Sequence, residues 1–577
     1  MTTPDLPAAP PDADTWPAVI GAGAPDPALI AQLANQFFAA LPGKTTAPAR
    51  PPSFSPELSG VAQAAPPPVA PAETPDRARS PAASPTEDEL RKVTSTLDNA
   101  LSLIPARLAV PPADGIASAA GAYYFIDQAN LANVSGDERG ALPFRFGAVP
   151  VIPELTERHP NRAPDPGFAS ARPFDPRAIR RDFPILDERI DGKPLIWLDN
   201  AATTQKPQAV IDRLTYFYQH ENSNIHRAAH ALAARATDAY EEAREKVRVF
   251  LNAGSAEEIV FTRGATEAIN LVARAWGGKY VGPGDEIIIS WLEHHANIVP
   301  WQQLAAEKGA RLRVIPVDDD GELILSEYER LLGPRTKIVA VTQVSNALGA
   351  VTPARAIVDA AHRHGARVLI DGAQSVSHQR SDVQAIDADF FVFSGHKVFG
   401  PTGIGVLYGR KDVLEDTPPW QSGGNMIADV TFERTLYQPP PTRFEAGTGN
   451  IADAVGLGAA IDYVSQLGID NIARYERELI GYAERVLKTI PGLRIIGHPR
   501  ERAGVISLVL DGIKSEDVGA HLAREGIAVR AGHHCAQPIL RRFGLESSVR
   551  PSFAPYNTCA DIDALARALR QLPGRRG

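Results

Sequence analysis

Cysteine is almost absent from this chain: Cys535 and Cys559 are the only two in 577 residues. Two cysteines exclude a disulfide framework and fit a reducing compartment. Positive charge is not in excess either, with Lys+Arg at 59 against Asp+Glu at 68 and a formal net charge of -9. Nucleic-acid binding usually needs a basic face, so none is expected. No apolar run reaches the roughly 18 residues of a membrane span. The opening MTTPDLPAAPPDADTWP lacks a basic region followed by an apolar core, so no secretory signal is expected. No metal site is expected. These absences leave a soluble cytoplasmic chain, too long for one compact core.

Proline, by contrast, is plentiful and uneven. Residues 1–175 hold 29 of the 50 prolines, with Ala/Pro/Ser runs such as Ala64 to Ala72. Such segments bury too little apolar surface to offset chain entropy, so residues 1–175 are expected to be largely disordered. Two islands have helical spacing. In residues 26–41, Asp26 suits an N-cap and Pro27 the first helical position, and Leu29, Leu33, Phe37 and Leu41 recur every four residues. In residues 86–104, Thr86 and Glu89 form a capping box ahead of Leu90, Val93, Leu97 and Leu101. A shorter apolar piece is Tyr123 to Ile126. Helices on disordered tethers suit docking into another protein's groove better than folding back on their own chain.

From residue 176 apolar strands alternate with helical stretches. The strands read EIVF (258–261), EIIIS (286–290), RLRVIPV (311–317), KIVAVTQV (337–344), RVLID (367–371) and DFFVFS (389–394). The alternation predicts an α/β fold with a mostly parallel sheet covered on both faces. A second α/β unit follows, with VISLVL at 505–510 and a closing helix from about Ala560. The expected division is a large cofactor domain over 176–445, with part of the small domain at its start, and a small C-terminal domain over 446–577 carrying Cys535.

Ligands of parallel sheets sit beyond the carboxyl ends of strands, and the candidate residues cluster there. Asp371 closes RVLID, where a carboxylate can face the nitrogen of a pyridine ring; by itself it is equally a turn residue. Gln374 can donate to the ring's phenolate oxygen. In SGHK, Ser394 and His396 can bind phosphate while Lys397 reaches an aldehyde carbon. RGATEAIN opens a helix whose first amides, at Ala265 and Thr266, favour an anion. His294 of LEHHAN can stack on a flat ring or serve as a structural histidine. RAGHHC sets Cys535 behind Arg530, His533 and His534, whose positive charge would favour the reactive thiolate. Cys559, in the first turn of the last helix, is expected to be a packed bystander. Together these residues predict a pyridoxal 5'-phosphate site beside a thiol.

The ordered motifs DFPIL, LDNAATTQKP, NIHRAAH, RGATEAIN, EHHANIVPW, VSNALG, DGAQ, FSGHKVFGPTGIG, RFEAGT, RAGHHC and YNT resemble aminotransferase class V, the fold-type I pyridoxal-phosphate enzymes. Within that class the chain resembles the SufS-type (group II) cysteine desulfurases, which also act as selenocysteine lyases. The resemblance covers roughly 176–577. It implies that Lys397 is the Schiff-base lysine, His294 the ring-stacking histidine, Asp371 the pyridinium partner and Gln374 the phenolate donor. It implies that Asn346 positions cofactor and substrate, that Thr266, Ser394 and His396 hold phosphate, and that Arg550 grips the substrate carboxylate. Arg530 would shape the cysteine loop, and Cys535 would take sulfur as a persulfide. A homodimer is implied, with Thr448 completing the partner's phosphate site and His226 and Arg227 near the partner's site. The chain departs from the family at Asn200, usually serine or alanine, and at FEAGTGN, where FEAGTPN is usual.

The short cysteine loop implies an acceptor protein of the SufE or SufU type. The Ala/Pro-rich front resembles the cargo-loading domain of desulfurases packaged in family 2 encapsulin shells, which implies a place inside such a nanocompartment. The alternatives are a selenocysteine lyase or cysteine-sulfinate desulfinase, with the front half docking a sulfur acceptor or scaffold.

Overall fold

The computed structural model describes residues 174–226 and 230–572. They belong to one compact unit, Pro150–Gly577; the other, Met1–Val149, lies outside the described residues, as do the islands at 26–41 and 86–104.

Seven strands form the main sheet: β1 (Ile259–Thr262), β2 (Glu286–Ser290), β3 (Arg311–Ile315), β4 (Thr336–Thr342), β5 (Arg367–Asp371), β6 (Phe390–Ser394) and β7 (Gly405–Gly409). Their order is β1-β7-β6-β5-β4-β2-β3. All neighbours run parallel except β7, which is antiparallel to both β1 and β6. The inner strands are apolar on both faces because both faces are covered, whereas the edge strand β3 leaves Arg311 and Val314 exposed. Ile288, Val339, Val368, Ile370, Phe391 and Phe393 point into one core, and Ile287, Ile289, Ile338, Leu369, Phe390 and Val392 into the other.

Helices α1 (Gln208–His220), α2 (Ala231–Leu251), α3 (Ala265–Leu271), α4 (Val299–Lys308), α5 (Ala354–Arg363), α6 (Ile451–Leu467) and α7 (Ile469–Leu487) follow in chain order. Residues of α1, α2, α5 and α6 join the first core, and residues of α3 and α4 the second. Helix α3 ends at Leu271 and widens into a π-helical turn over Val272–Gly277. The apolar residues of α6 lie with the sheet, so contact with the large core runs past residue 446 to about Ile472.

A separate core, holding Leu198, Leu479, Leu508, Val549 and Ile562, builds the smaller domain. Its antiparallel sheet orders β8 (Leu493–Ile495), β9 (Leu508–Leu510), β11 (Ser548–Arg550) and β10 (Arg530–Gly532), backed by α8 (Ser515–Arg524) and α9 (Cys559–Arg570). The expected strand 505–510 is paired regularly only from Leu508. Opposite its first half stands Pro551, which has no N–H to give a ladder; its carbonyl accepts from Ile506 instead. Ile196–Trp197 pairs with Ile527–Ala528, tying the start of the domain to its end. Cys559 is exposed at the start of α9, so it is not the packed residue expected from the sequence.

Candidate active site

The strand ends open into a cavity of about 370 Å³. Thr342, Asp371 and Ser394, the last residues of β4, β5 and β6, line it. So do Lys397, His294, Gln374, His396, Ala265 and Thr266, and from the other side of the fold Asn346, Arg530, Arg550 and Cys535. Two expected site residues are elsewhere. Thr448 is exposed in a different concavity beside Phe444 and Glu445. His226 is exposed and paired with Glu241 at 2.9 Å, which raises the imidazole's pKa. Arg227 lies outside the described residues.

At one end stand an acid and an amine. Asp371 is 4% exposed, and its Oδ1 accepts from the Ala373 N–H at 2.9 Å. Oδ2 has no hydrogen-bond partner among the described residues. Burial pushes this carboxyl's pKa up; the Ala373 N–H and the Lys397 charge oppose that push. Lys397 follows β6 on the turn Gly395–Lys397 and donates no hydrogen bond among the described residues. Burial lowers its pKa against the pull of Asp371. An amine that is half-buried, unpaired and more easily deprotonated than usual can exchange partners and carry a proton. His294 is held down to about 3, first by burial and then by the Lys397 charge, so it is neutral. The Ala296 N–H donates to its Nδ1 at 3.0 Å, leaving the proton on Nε2. Gln374 spends one N–H on the Ala201 carbonyl at 2.7 Å and keeps a second donor.

The start of α3 forms the next wall. Gly405 of β7 lets the helix start approach closely, since a Cβ there would stand 2.4 Å from the Gly264 Cα. The Ala265 N–H donates to Ser394 Oγ at 2.9 Å, so this amide is not open to a ligand as the sequence reading supposed. The backbone N–H and hydroxyl of Thr266 have no partner among the described residues. Burial and the charges of Lys397 and Lys206 hold His396 to about 4. A neutral imidazole, a serine hydroxyl and the threonine groups are donors that suit a phosphate.

Cys535 enters on a strained loop. His534 and Cys535 have φ of 53° and 54°, in the left-handed region that non-glycine residues seldom adopt. The surroundings hold both residues. Asn346 Nδ2 donates to the His534 carbonyl at 2.7 Å, and the His295 N–H donates to the Cys535 carbonyl at 2.8 Å. The Cys535 N–H donates to His533 Nδ1 at 3.1 Å. His534 does not supply the positive charge expected of it: burial holds its pKa to about 2, so it is neutral and bonded to Ser548 Oγ. Arg550, 2% exposed, donates to the Asn346 carbonyl at 2.9 Å, while its Nε is buried without a partner. Burial lowers its pKa to about 10, so it stays charged at neutral pH.

Three supporting residues escaped the sequence reading. Glu293 is fully buried and accepts from Ser290 Oγ, Asn297 Nδ2 and the Thr342 N–H, fixing the turn that carries His294. Burial outweighs those donors and lifts its pKa to about 8. Lys206 donates to the carbonyls of Thr204 and His396 beneath the lysine turn, and burial lowers its pKa to about 8. Asp199 bridges Arg530 and Arg550. Asp199 and Lys206 lie within LDNAATTQKP and Glu293 precedes His294, but only the fold reveals what they touch.

The family model Aminotransferase class-V matches residues 196–565. The chain is 63% identical over 450 residues to a cysteine desulfurase of Synechococcus elongatus, covering 78% of this chain and 71% of that one. It is 53% identical over 395 residues to a cysteine desulfurase of Dickeya dadantii, covering 68% and 96%. The fold matches the crystal structure of the cysteine desulfurase CsdA (S-sulfonic acid) from Escherichia coli with TM-score 0.65 and 41% identity, covering 70% of this chain and 99% of that one. The cavity fits the cofactor of such enzymes: a buried carboxylate with one unclaimed oxygen, an unpaired half-buried amine and a donor-lined helix start. The chain therefore belongs to the cysteine desulfurases of aminotransferase class V, enzymes that work with pyridoxal 5'-phosphate.

Proposed function

We propose that the chain takes sulfur from L-cysteine onto Cys535, with Lys397 and Asp371 serving the cofactor. The observation that carries this reading is the convergence of Lys397, Asp371, Arg550 and Cys535 on one cavity. Bound pyridoxal phosphate supplies an aldehyde that links to amines and a ring that draws electrons from the substrate's Cα. Lys397 would hold that group through its amine and would move the proton at the substrate's Cα. Arg550 holds the substrate carboxylate through paired N–H donors. Asp371 offers its open oxygen to a cationic ring nitrogen. His294, being neutral, would wall the ring without adding charge. Ser394, His396 and Thr266 would hold the phosphate, and Gln374 and Asn346 would orient ring and substrate.

The Cys535 thiolate attacks the substrate sulfur. A sulfur–sulfur bond forms and the substrate's carbon–sulfur bond breaks, its electron pair staying with carbon. That carbon takes a proton, L-alanine leaves, and Cys535 keeps the persulfide. Thiol plus cysteine gives persulfide plus alanine, so no external oxidant or reductant is needed. Cys535→Ser is expected to abolish sulfur release while leaving the cofactor's visible absorbance; full desulfurase activity in that variant would sink the assignment.

The reading extends to SufS-type behaviour: a short cysteine loop that hands sulfur to a SufE- or SufU-type acceptor, and a homodimer. The exposure of Thr448 and His226, away from this chain's own cavity, supports their serving a partner copy. Residues 1–175 are proposed to load the enzyme into a family 2 encapsulin shell. The 450-residue match to the Synechococcus relative exceeds the length of 176–577, so it reaches into this segment. A fluorescent protein fused to residues 1–175 should enter the shell when co-expressed with it; exclusion would leave the segment as an acceptor- or scaffold-docking arm.

A further inference from the structure

Lys206 is a half-buried cation that no carboxylate answers among the described residues, and it stands outside the cavity lining. Its partners there are neutral oxygens: the Thr204 carbonyl at 2.5 Å, and the Thr203 hydroxyl and His396 carbonyl at 3.3 Å each. The His396 carbonyl, directly before Lys397, is where the contacts converge. It also accepts from the Thr204 N–H at 3.0 Å, the Thr203 hydroxyl at 3.0 Å and the Thr204 hydroxyl at 3.2 Å. Thr204 Oγ1 in turn accepts from the Phe399 N–H at 2.7 Å.

The two threonines thus hold both ends of the lysine turn by themselves. A carbonyl oxygen has two lone pairs, and neutral donors already fill them. The ammonium is therefore surplus as a brace, yet an unanswered, partly desolvated charge costs free energy. Its field crosses the turn, since Lys206 is one of the charges that lower the His396 imidazole's pKa. On the far side of that turn lies the end of the cavity read as the phosphate site. A phosphate ester carries about −1.5 to −2 charges at neutral pH. The groups assigned to it are neutral: the Ser394 and Thr266 hydroxyls, and His396, which is unprotonated above about pH 4. Lys397 is committed to the aldehyde, and Arg530 and Arg550 both pair with Asp199.

We propose that Lys206 is a positioning residue that acts through the lysine turn, setting a positive charge behind His396 that holds the cofactor's phosphate dianion. This deepens the reading of Ser394, His396 and Thr266 as phosphate ligands and rests on it.

The test loads the full-length chain, stripped of cofactor, with pyridoxal 5'-phosphate or with pyridoxal, which has the same ring and aldehyde but no phosphate. Visible absorbance gives a Kd for each. Lys206→Gln keeps N–H donors for the carbonyls and drops the charge; Lys206→Met drops both. In Lys206→Gln the Kd for pyridoxal phosphate should rise about tenfold, with that for pyridoxal moving less than about twofold. Lys206→Met should lose at least as much of the preference for the phosphate form. A residue that only braced the turn would weaken both ligands alike in Lys206→Met and be rescued by glutamine.

The preference should also depend on pH. Burial lowers the Lys206 pKa to about 8, so its charge is lost as pH rises past that value. The groups around it do not titrate there in a way that mimics this. His396 is already neutral, Tyr556, which accepts from the Gln205 N–H, keeps its proton because burial raises its pKa, and Lys397 serves both ligands, so its titration cancels in their ratio. The preference should therefore fall above about pH 8 in the unmodified chain and stay flat in Lys206→Gln. Equal losses for both ligands, or an undiminished preference in Lys206→Gln, overturns the proposal. If Lys206→Gln does not fold, the unmodified chain decides: a preference flat through about pH 8 overturns it and a fall supports it. An unmodified chain that binds both ligands alike removes the phosphate reading and the role of Lys206 with it.

Discussion

At the residue scale, burial sets most of the site's chemistry. It lowers Lys397, holds His294 to about 3 and lifts Glu293 to about 8. Motif matching named Lys397, His294, Asp371 and Cys535 because each is the last or next residue of a readable strand or loop. It gave His534 the wrong charge, because the sequence does not show that the imidazole is buried against Ser548. Glu293 yields a pH prediction. Its folded pKa lies above the 4.5 of an ordinary glutamate, so the folded state keeps a proton that the unfolded state loses. Its contribution to stability is therefore full below about pH 4.5 and is lost as pH rises to about 8. Denaturant midpoints of the enzyme should drop over that window, and those of Glu293→Gln should drop less; parallel curves for the two proteins would contradict the assignment.

At the element scale, the strands were legible and the supports between elements were not. EIIIS and RVLID match β2 and β5 residue for residue, because strands buried on both faces read as unbroken apolar runs. The interruption of the strand at 505–510 is not legible locally, since its partner contains Pro551, some forty residues further along. The cysteine loop depends on the same kind of distant support. Asn346 Nδ2 ties the His534 carbonyl where two successive residues have positive φ. Asn346→Ala should cost about 1–3 kcal/mol by leaving that buried carbonyl unpaired. Amide exchange over 533–537 should quicken, and kcat should fall with the cofactor's absorbance retained. Unaltered exchange would show that the loop keeps its shape without Asn346.

At the scale of the whole molecule, the described residues contain a core on each face of the large sheet, one in the smaller domain and a smaller cluster around Leu292, Leu348 and Ile539. The α/β architecture was legible from strand–helix alternation. The reach of α6 into the large core was not, since its apolar residues fit either domain by composition. These cores predict that a chain beginning near residue 174 folds, binds the cofactor and makes alanine from cysteine at the rate of the full chain. The proposed shell loading, by contrast, should be lost with the front segment. A truncated enzyme that folds with its cofactor but is inactive would show that the segment serves catalysis rather than location.

The central claim is that one thiol, Cys535, receives the sulfur. The direct measurement is peptide mass spectrometry of the holoenzyme after brief exposure to L-cysteine, with trapping of persulfides and a parallel assay of alanine. The account predicts one added sulfur on the peptide containing Cys535, none on the peptide containing Cys559, and alanine formed in step with it. Sulfur on Cys559, or alanine formed from cysteine at an undiminished rate with Cys535 replaced by serine, would contradict it.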